Sequence, residues 1–295
     1  MIEDLLRDGS SYHNTASARF AGELEAAVCG SVDPGSLVPL LYWSNHTIGE
    51  HLRDWPRARA LAERVLEGRT PDARTAAAWA KLYAARAMAG DLEGAEQAQQ
   101  VYAATDGIDP RVAAIDSKMT LANALAGSGR LAEGSALYES ALALARNTPK
   151  SNADRMVAIA SNNLASQLLE VCPRSAEQDE LMRAAAAAGL EFWLRCGTWQ
   201  NEERALYLSA LVANALGEPM AAREAVDAAF RIIDANGSEP VDETFLRLAR
   251  ANAFAMLGDL AGHKRDLAAA ESAAASWDGA MRQWFAEERA KIKLL

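Results

Sequence analysis

One turn recurs along this chain and limits what it can fold into. Gly90-Asp91-Leu92, Gly129-Arg130-Leu131, Gly217-Glu218 and Gly258-Asp259-Leu260 each lie between two stretches whose apolar residues repeat at helical spacing. Arg53-Asp54-Trp55 holds the same place in an earlier copy. Glycine takes the left-handed backbone that ends a helix, and aspartate caps the next one. Each copy therefore reads as two helices joined by a tight turn. In the clearest one, Trp79, Leu82, Tyr83 and Arg86 precede the turn, Ala95, Gln99 and Tyr102 follow it, and Pro110 closes the unit.

The interval between turns is roughly 40 residues, except that Gly129 to Gly217 spans about twice that, which calls for one more copy inside it. Asn163, Leu164, Ala165 and Leu168 supply its first helix. A longer loop around Val171 to Ser175 replaces the turn, and a helix from about Glu177 to Arg195 follows. A single helix pair cannot cover its own apolar face, so neighbouring pairs stack. The expected fold is all-α: a superhelical solenoid of about six antiparallel helix pairs at 37–70, 76–108, 112–148, 152–196, 199–236 and 241–275. One domain over 15–295 would hold them. Helices at about 15–29 and 278–292 would cap it, the second presenting Met281, Trp284, Phe285 and Ile292. Residues 1–14 are poorly patterned, as expected of a fraying end or of a continuation from an upstream domain.

Half of the residues are hydrophobic but only 6% are aromatic, so the apolar content is mostly small. Alanine runs such as the one from Arg183 to Gly189 favour helices that approach closely. Ala95, Gly134 and Ala222 are the expected crossing points within pairs.

The formal net charge is −10, with no Lys/Arg-rich run, which argues against nucleic acid as a direct partner. The N-terminus lacks the basic and apolar regions of a signal peptide, and no window is long and apolar enough for a membrane span. Cys29, Cys172 and Cys196 are odd in number, widely spaced and read as packing residues. A cytoplasmic location without membrane association is the expectation.

Catalytic motifs are absent. There is no phosphate-binding Gly-rich loop followed by Lys-Ser/Thr, and no nucleophile elbow. The histidines are His13, His46, His51 and His263. His46 and His51 are five apart and do not share an α-helical face, so surface or packing roles are expected. No catalytic residue, metal site or cofactor is assigned, and the chain reads as a non-enzyme.

Asparagine recurs on the first helices, at Asn45, Asn123, Asn163, Asn214 and Asn252. It is a mediocre helix former. Its amide both donates and accepts, which suits the backbone of an extended peptide, the alternative being exposure or hydrogen bonds between helices. Of the seven tryptophans, most are expected in the core, although Trp43 and Trp79 lie on first helices and could face a groove.

On these residues the chain resembles the tetratricopeptide repeat family, a helix-turn-helix array with a period of roughly 34 residues. Trp79, Leu82, Gly90, Ala95 and Pro110 fall on or near its signature positions, and Leu121, Gly129, Tyr138 and Ala141 repeat them. The likeness spans about 37–275. Arg250 stands where a leucine is expected, and His263 where a small residue is expected. The resemblance implies a concave face lined by first helices that binds a protein or peptide segment. It also implies that Asn123, Asn163 and Arg204 hold a peptide backbone or terminal carboxylate, although Met119 and Leu208 occupy two other positions that are basic in the carboxylate-binding subclass. Trp79 and Tyr83 would add contact area, with Asn45, Asn214 and Asn252 on the same face. A second copy of the chain is left open as a partner. The alternative reading is an effector-sensing module of a larger transcriptional or signalling regulator.

Overall fold

The computed structural model describes residues 2–9, 11–30 and 32–292, with the Asn152 side chain outside that description. Among the described residues the chain is all-α, with no strand. It divides into two compact units, Met1–Val157 and Ala158–Leu295.

In the first unit, α1 (Ile2–Gly9) and α2 (Ser17–Ala27) precede α3 (Leu37–Ser44), which continues as a π-helical turn over Asn45–His51. Then follow α4 (Trp55–Leu66), α5 (Ala77–Met88), α6 (Leu92–Ala103), α7 (Pro110–Gly127) and α8 (Leu131–Arg146). The poorly patterned N-terminal stretch thus carries a helix, and its Leu6 reaches the core formed by Phe20, Leu24, Leu40 and Leu41. The unit boundary falls within α9 (Asn152–Leu169). The second unit continues with α10 (Ala176–Cys196), α11 (Trp199–Ala215), α12 (Pro219–Asn236), α13 (Pro240–Leu257), α14 (Leu260–Ala274) and α15 (Gly279–Ala290).

Helices pack mainly against their sequence neighbours, in the pairs α5–α6, α7–α8, α11–α12 and α13–α14. The expected turns join them. Gly90 has φ +86°, a left-handed conformation that an L side chain adopts only with strain, and Asp91 caps α6 by accepting from Gly94 N. The longer loop before α10 ends in a capping box between Ser175 and Gln178. In that loop, the Arg174 guanidinium donates to Val171 O at 3.1 Å and pairs with Asp179 at 2.7 Å.

The small crossing residues sit where the spacing put them. Ala95 and Ala222 are buried. A Cβ on Gly134 would lie 3.0 Å from backbone atoms of Ala122 and Ala126, so α8 meets α7 almost backbone to backbone. His263 replaces a small residue yet is buried, because its Nδ1 lies 2.9 Å from Ala251 O. Arg250 replaces a leucine and packs over the Phe230 ring, pairing with Asp266 at 2.5 Å and Asp227 at 2.7 Å. The C-terminal helix covers the last pair as expected, with Met281 and Phe285 against Phe245 and Leu248. Cys29 and Cys172 are exposed, contrary to a packing role. Both lie outside a helix, Cys29 in the segment after α2, where its neighbours Val28 and Val32 turn into the core instead, and Cys172 in the loop before α10.

Candidate functional site

The asparagines of the first helices divide by role. Asn45 Nδ2 donates to Lys81 O at 2.9 Å, and Asn214 Nδ2 donates to Ala249 O at 2.8 Å. In both cases the acceptor lies on the first helix of the following pair, about one repeat onward. These amides tie successive first helices together instead of presenting a donor to a ligand. Asn163 is exposed on α9, and Asn123 and Asn252 are half-buried. Asn123 belongs to the first unit, whereas Asn163 and Arg204 belong to the second.

Trp79 is buried on α5 and lines a groove with Leu82 and the exposed Val101, beside a rim that includes Glu63 and Arg86. Within that rim Arg86 Nε lies 3.0 Å from Glu63, so these two charges satisfy each other. Tyr83, one turn on from Trp79, is half-buried against the first unit's core.

Arg204 is already engaged by acids. Its guanidinium pairs with Asp242 at 2.9 Å and lies 3.4 Å from Glu203 Oε1. A carboxylate arriving at Arg204 would meet two acidic groups already in place. The three residues line a cavity of about 450 Å³ with Tyr207, Val241, Phe245 and Trp284. Helix α11 contributes Glu203, Arg204 and Tyr207, α13 contributes Val241, Asp242 and Phe245, and α15 contributes Trp284.

Glu203 is fully buried, and neither carboxyl oxygen has a hydrogen bond. A buried carboxyl without such partners is costly. Burial, and then the neighbouring Asp242 carboxylate, push it up to about 8. Burial also raises Tyr207 above the ordinary phenol value. Trp284 lies 4.0 Å from Phe245, ring centre to ring centre, and is 42% exposed at the mouth. The cavity therefore combines aromatic faces, an acidic floor and a protonatable carboxyl. Neither Glu203 nor Trp284 was a site candidate from the sequence, where Trp284 was expected only as part of the apolar face of the C-terminal helix. The Glu202-Glu203 pair looks like a solvated helix face until α13 and α15 cover it.

The histidines depart from the sequence expectation. The π-helical turn is marked by the hydrogen bond from Leu52 N to Thr47 O, five residues back. That wider turn brings residues five apart over one another. His46 Nε2 and His51 Nε2 are 3.2 Å apart, so these two do share a face. His13, from the segment between α1 and α2, joins them, and the three offer nitrogens all within 4.8 Å of one another.

No family model matches the chain, and no curated protein does. Among solved structures it is similar to the crystal structure of BtubC (BKLC) from P. vanneervenii, at 16% identity and a TM-score of 0.50, covering 90% of this chain and 94% of that one. Likeness at this identity shows a shared helical fold alone.

Proposed function

We propose that this chain is a non-catalytic helical-repeat scaffold that binds a protein or peptide segment, and that the cavity between α11, α13 and α15 receives a basic side chain of that partner. The observation that carries this reading is the buried Glu203 carboxyl, without a hydrogen bond, beneath Tyr207, Phe245 and Trp284. An ammonium or guanidinium entering there gains cation–π contact with the rings and a closer approach to Glu203 than the Arg204 guanidinium at 3.4 Å, displacing the carboxyl proton as it binds. The carboxylate-holding role implied for Arg204 gives way to this, because Glu203 and Asp242 already surround its guanidinium. A protein partner also agrees with the acidic net charge and the resemblance to tetratricopeptide repeats.

The size of the cavity favours a second reading, since about 300–1,000 Å³ is typical of small-molecule sites. A small organic cation in the same place would make the chain an effector-sensing module.

A random peptide library presented to the full chain tests the first reading. It should enrich Lys or Arg at one position, and Glu203→Gln or Trp284→Ala should abolish that enrichment. Enrichment indifferent to positive charge, or to both substitutions, overturns it. Free alkylamines that bind in the cavity when no charged peptide does would favour the second reading.

A further inference from the structure

We infer that His13, His46 and His51 bind one divalent transition-metal ion of the zinc class, with Glu50 as the outer carboxylate that orients His46. This site lies in the first unit and is separate from the Glu203 cavity.

The geometry is already close to that of a bound ion. Two imidazole nitrogens held about 2.0–2.1 Å from a tetrahedral zinc stand roughly 3.3 Å from each other. His46 Nε2 and His51 Nε2 are 3.2 Å apart. The nitrogens offered by the three histidines fall within 4.8 Å of one another, so a small adjustment of His13 closes the set.

The surroundings favour the same assignment. His46 Nδ1 lies 2.7 Å from Glu50 Oε2, leaving Nε2 turned toward His51. A carboxylate on the far nitrogen of a ligating histidine fixes the ring and raises its basicity, and it is a regular companion of such ligands. Tyr42 stacks on His46 with centroids 5.9 Å apart, and Trp43 meets the edges of His13 and His46. The rings are thus held by packing before any ion arrives. The backbone contributes as well, because Gly49 leaves room for the Trp55 ring where any side chain would collide. Single π turns inside α-helices occur often at functional sites.

An all-imidazole set suits zinc, copper or nickel and not magnesium or calcium, which take oxygen ligands. Three protein ligands leave one coordination position open, and His51 is exposed, which gives the ion a route in. Bound there, the ion would cross-link the segment between α1 and α2 to the π turn that ends α3.

The test uses the full chain after chelator treatment, titrated with Zn²⁺ against a chromophoric chelator. One equivalent should bind, and His51→Gln and His46→Gln should each remove competitive binding. Glu50→Gln should weaken it by about 10- to 100-fold while leaving the three ligands in place. Cobalt in place of zinc should give the visible bands of a four-coordinate ion without a thiolate charge-transfer band, which separates this site from Cys29, Cys172 and Cys196. Circular dichroism of each variant shows whether it has folded, and His51→Gln, at an exposed position, is the variant least coupled to the core. Failure to compete for zinc, thiolate bands with cobalt, or zinc binding retained by folded His51→Gln would overturn the assignment. None of these outcomes bears on peptide binding in the second unit.

Discussion

Asn214 on α11 donates its side-chain amide to the carbonyl of Ala249 on α13 at 2.8 Å, repeating in the second unit what Asn45 does to Lys81 in the first. Each bond joins the first helices of successive pairs. Replacing Asn214 with alanine should cost about 1 kcal/mol, the usual net worth of one such bond. Asn163→Ala, at an exposed position, should change stability by less than about 0.5 kcal/mol. Urea denaturation of the two variants checks both values, and equal losses would remove the distinction.

Glycine substitutions should move stability in opposite directions according to what faces them. Gly22 lies inside α2 with open space where a side chain would begin, so Gly22→Ala should stabilise by about 0.5–1 kcal/mol. Gly134→Ala pushes a methyl against the α7 backbone and should destabilise by about 1–3 kcal/mol. Thermal melts of the pair decide the matter, and a stabilised Gly134→Ala would mean that α7 and α8 separate at little cost.

Most of the fold is legible in the sequence because its determinants are local. Turn glycines, capping aspartates and small residues at Ala95 and Gly134 all act within one helix pair. In the broken copy, Leu164 and Leu168 keep helical spacing ahead of a missing turn, and α9 carries both. The sites were less legible because they depend on departures from that regularity. At 3.6 residues per turn, His46 and His51 stand roughly 140° apart around an α-helix, and only the inserted π turn aligns them. Glu203 becomes a buried acid only when α13 and α15 arrive, and nothing near it in sequence announces them. The asparagine recurrence was visible, but for Asn45 and Asn214 its meaning lay in carbonyls about one repeat away.

Arg250 ties α13 to both α12 and α14 through Asp227 and Asp266, and the Asp266 carboxylate is almost wholly buried. Arg250→Ala would leave that charge only the looser, mostly exposed Arg265 at 3.5 Å and should destabilise the chain by about 3 kcal/mol. Arg250→Lys keeps the charge but not the planar fork that meets both acids, and should recover only part of the loss. Guanidinium unfolding curves would show this ranking; similar curves for the wild type and Arg250→Ala would count against a structural role for the triad.

The pH dependence follows from Glu203. Its folded value of about 8 lies above the ordinary carboxyl value of 4.5, so between those values the folded chain holds a proton that the unfolded chain has released. The contribution of this group to stability is therefore fully present below about 4.5 and is lost as pH rises through 8. Glu203→Gln should flatten that fall and melt above the wild type at alkaline pH. Melting curves from about pH 5 to 9 test this, and parallel profiles for the two proteins would refute it. If a cation binds in the cavity, its arrival should also expel this proton, which calorimetry in buffers of different ionisation heat would register.

The glycines at the turns have a consequence for chirality. At Gly90, Gly129, Gly217 and Gly258 the backbone is left-handed, with φ between +73° and +86°, and nothing occupies the space where a side chain would begin. These positions require handedness, not smallness. A mirror-image alanine introduced by chemical synthesis would find this positive φ favourable, and it would narrow the freedom of the unfolded chain at the joints between helices. The natural amino acids offer only one residue that tolerates such a joint without strain, and it is also the one that holds the joint least firmly.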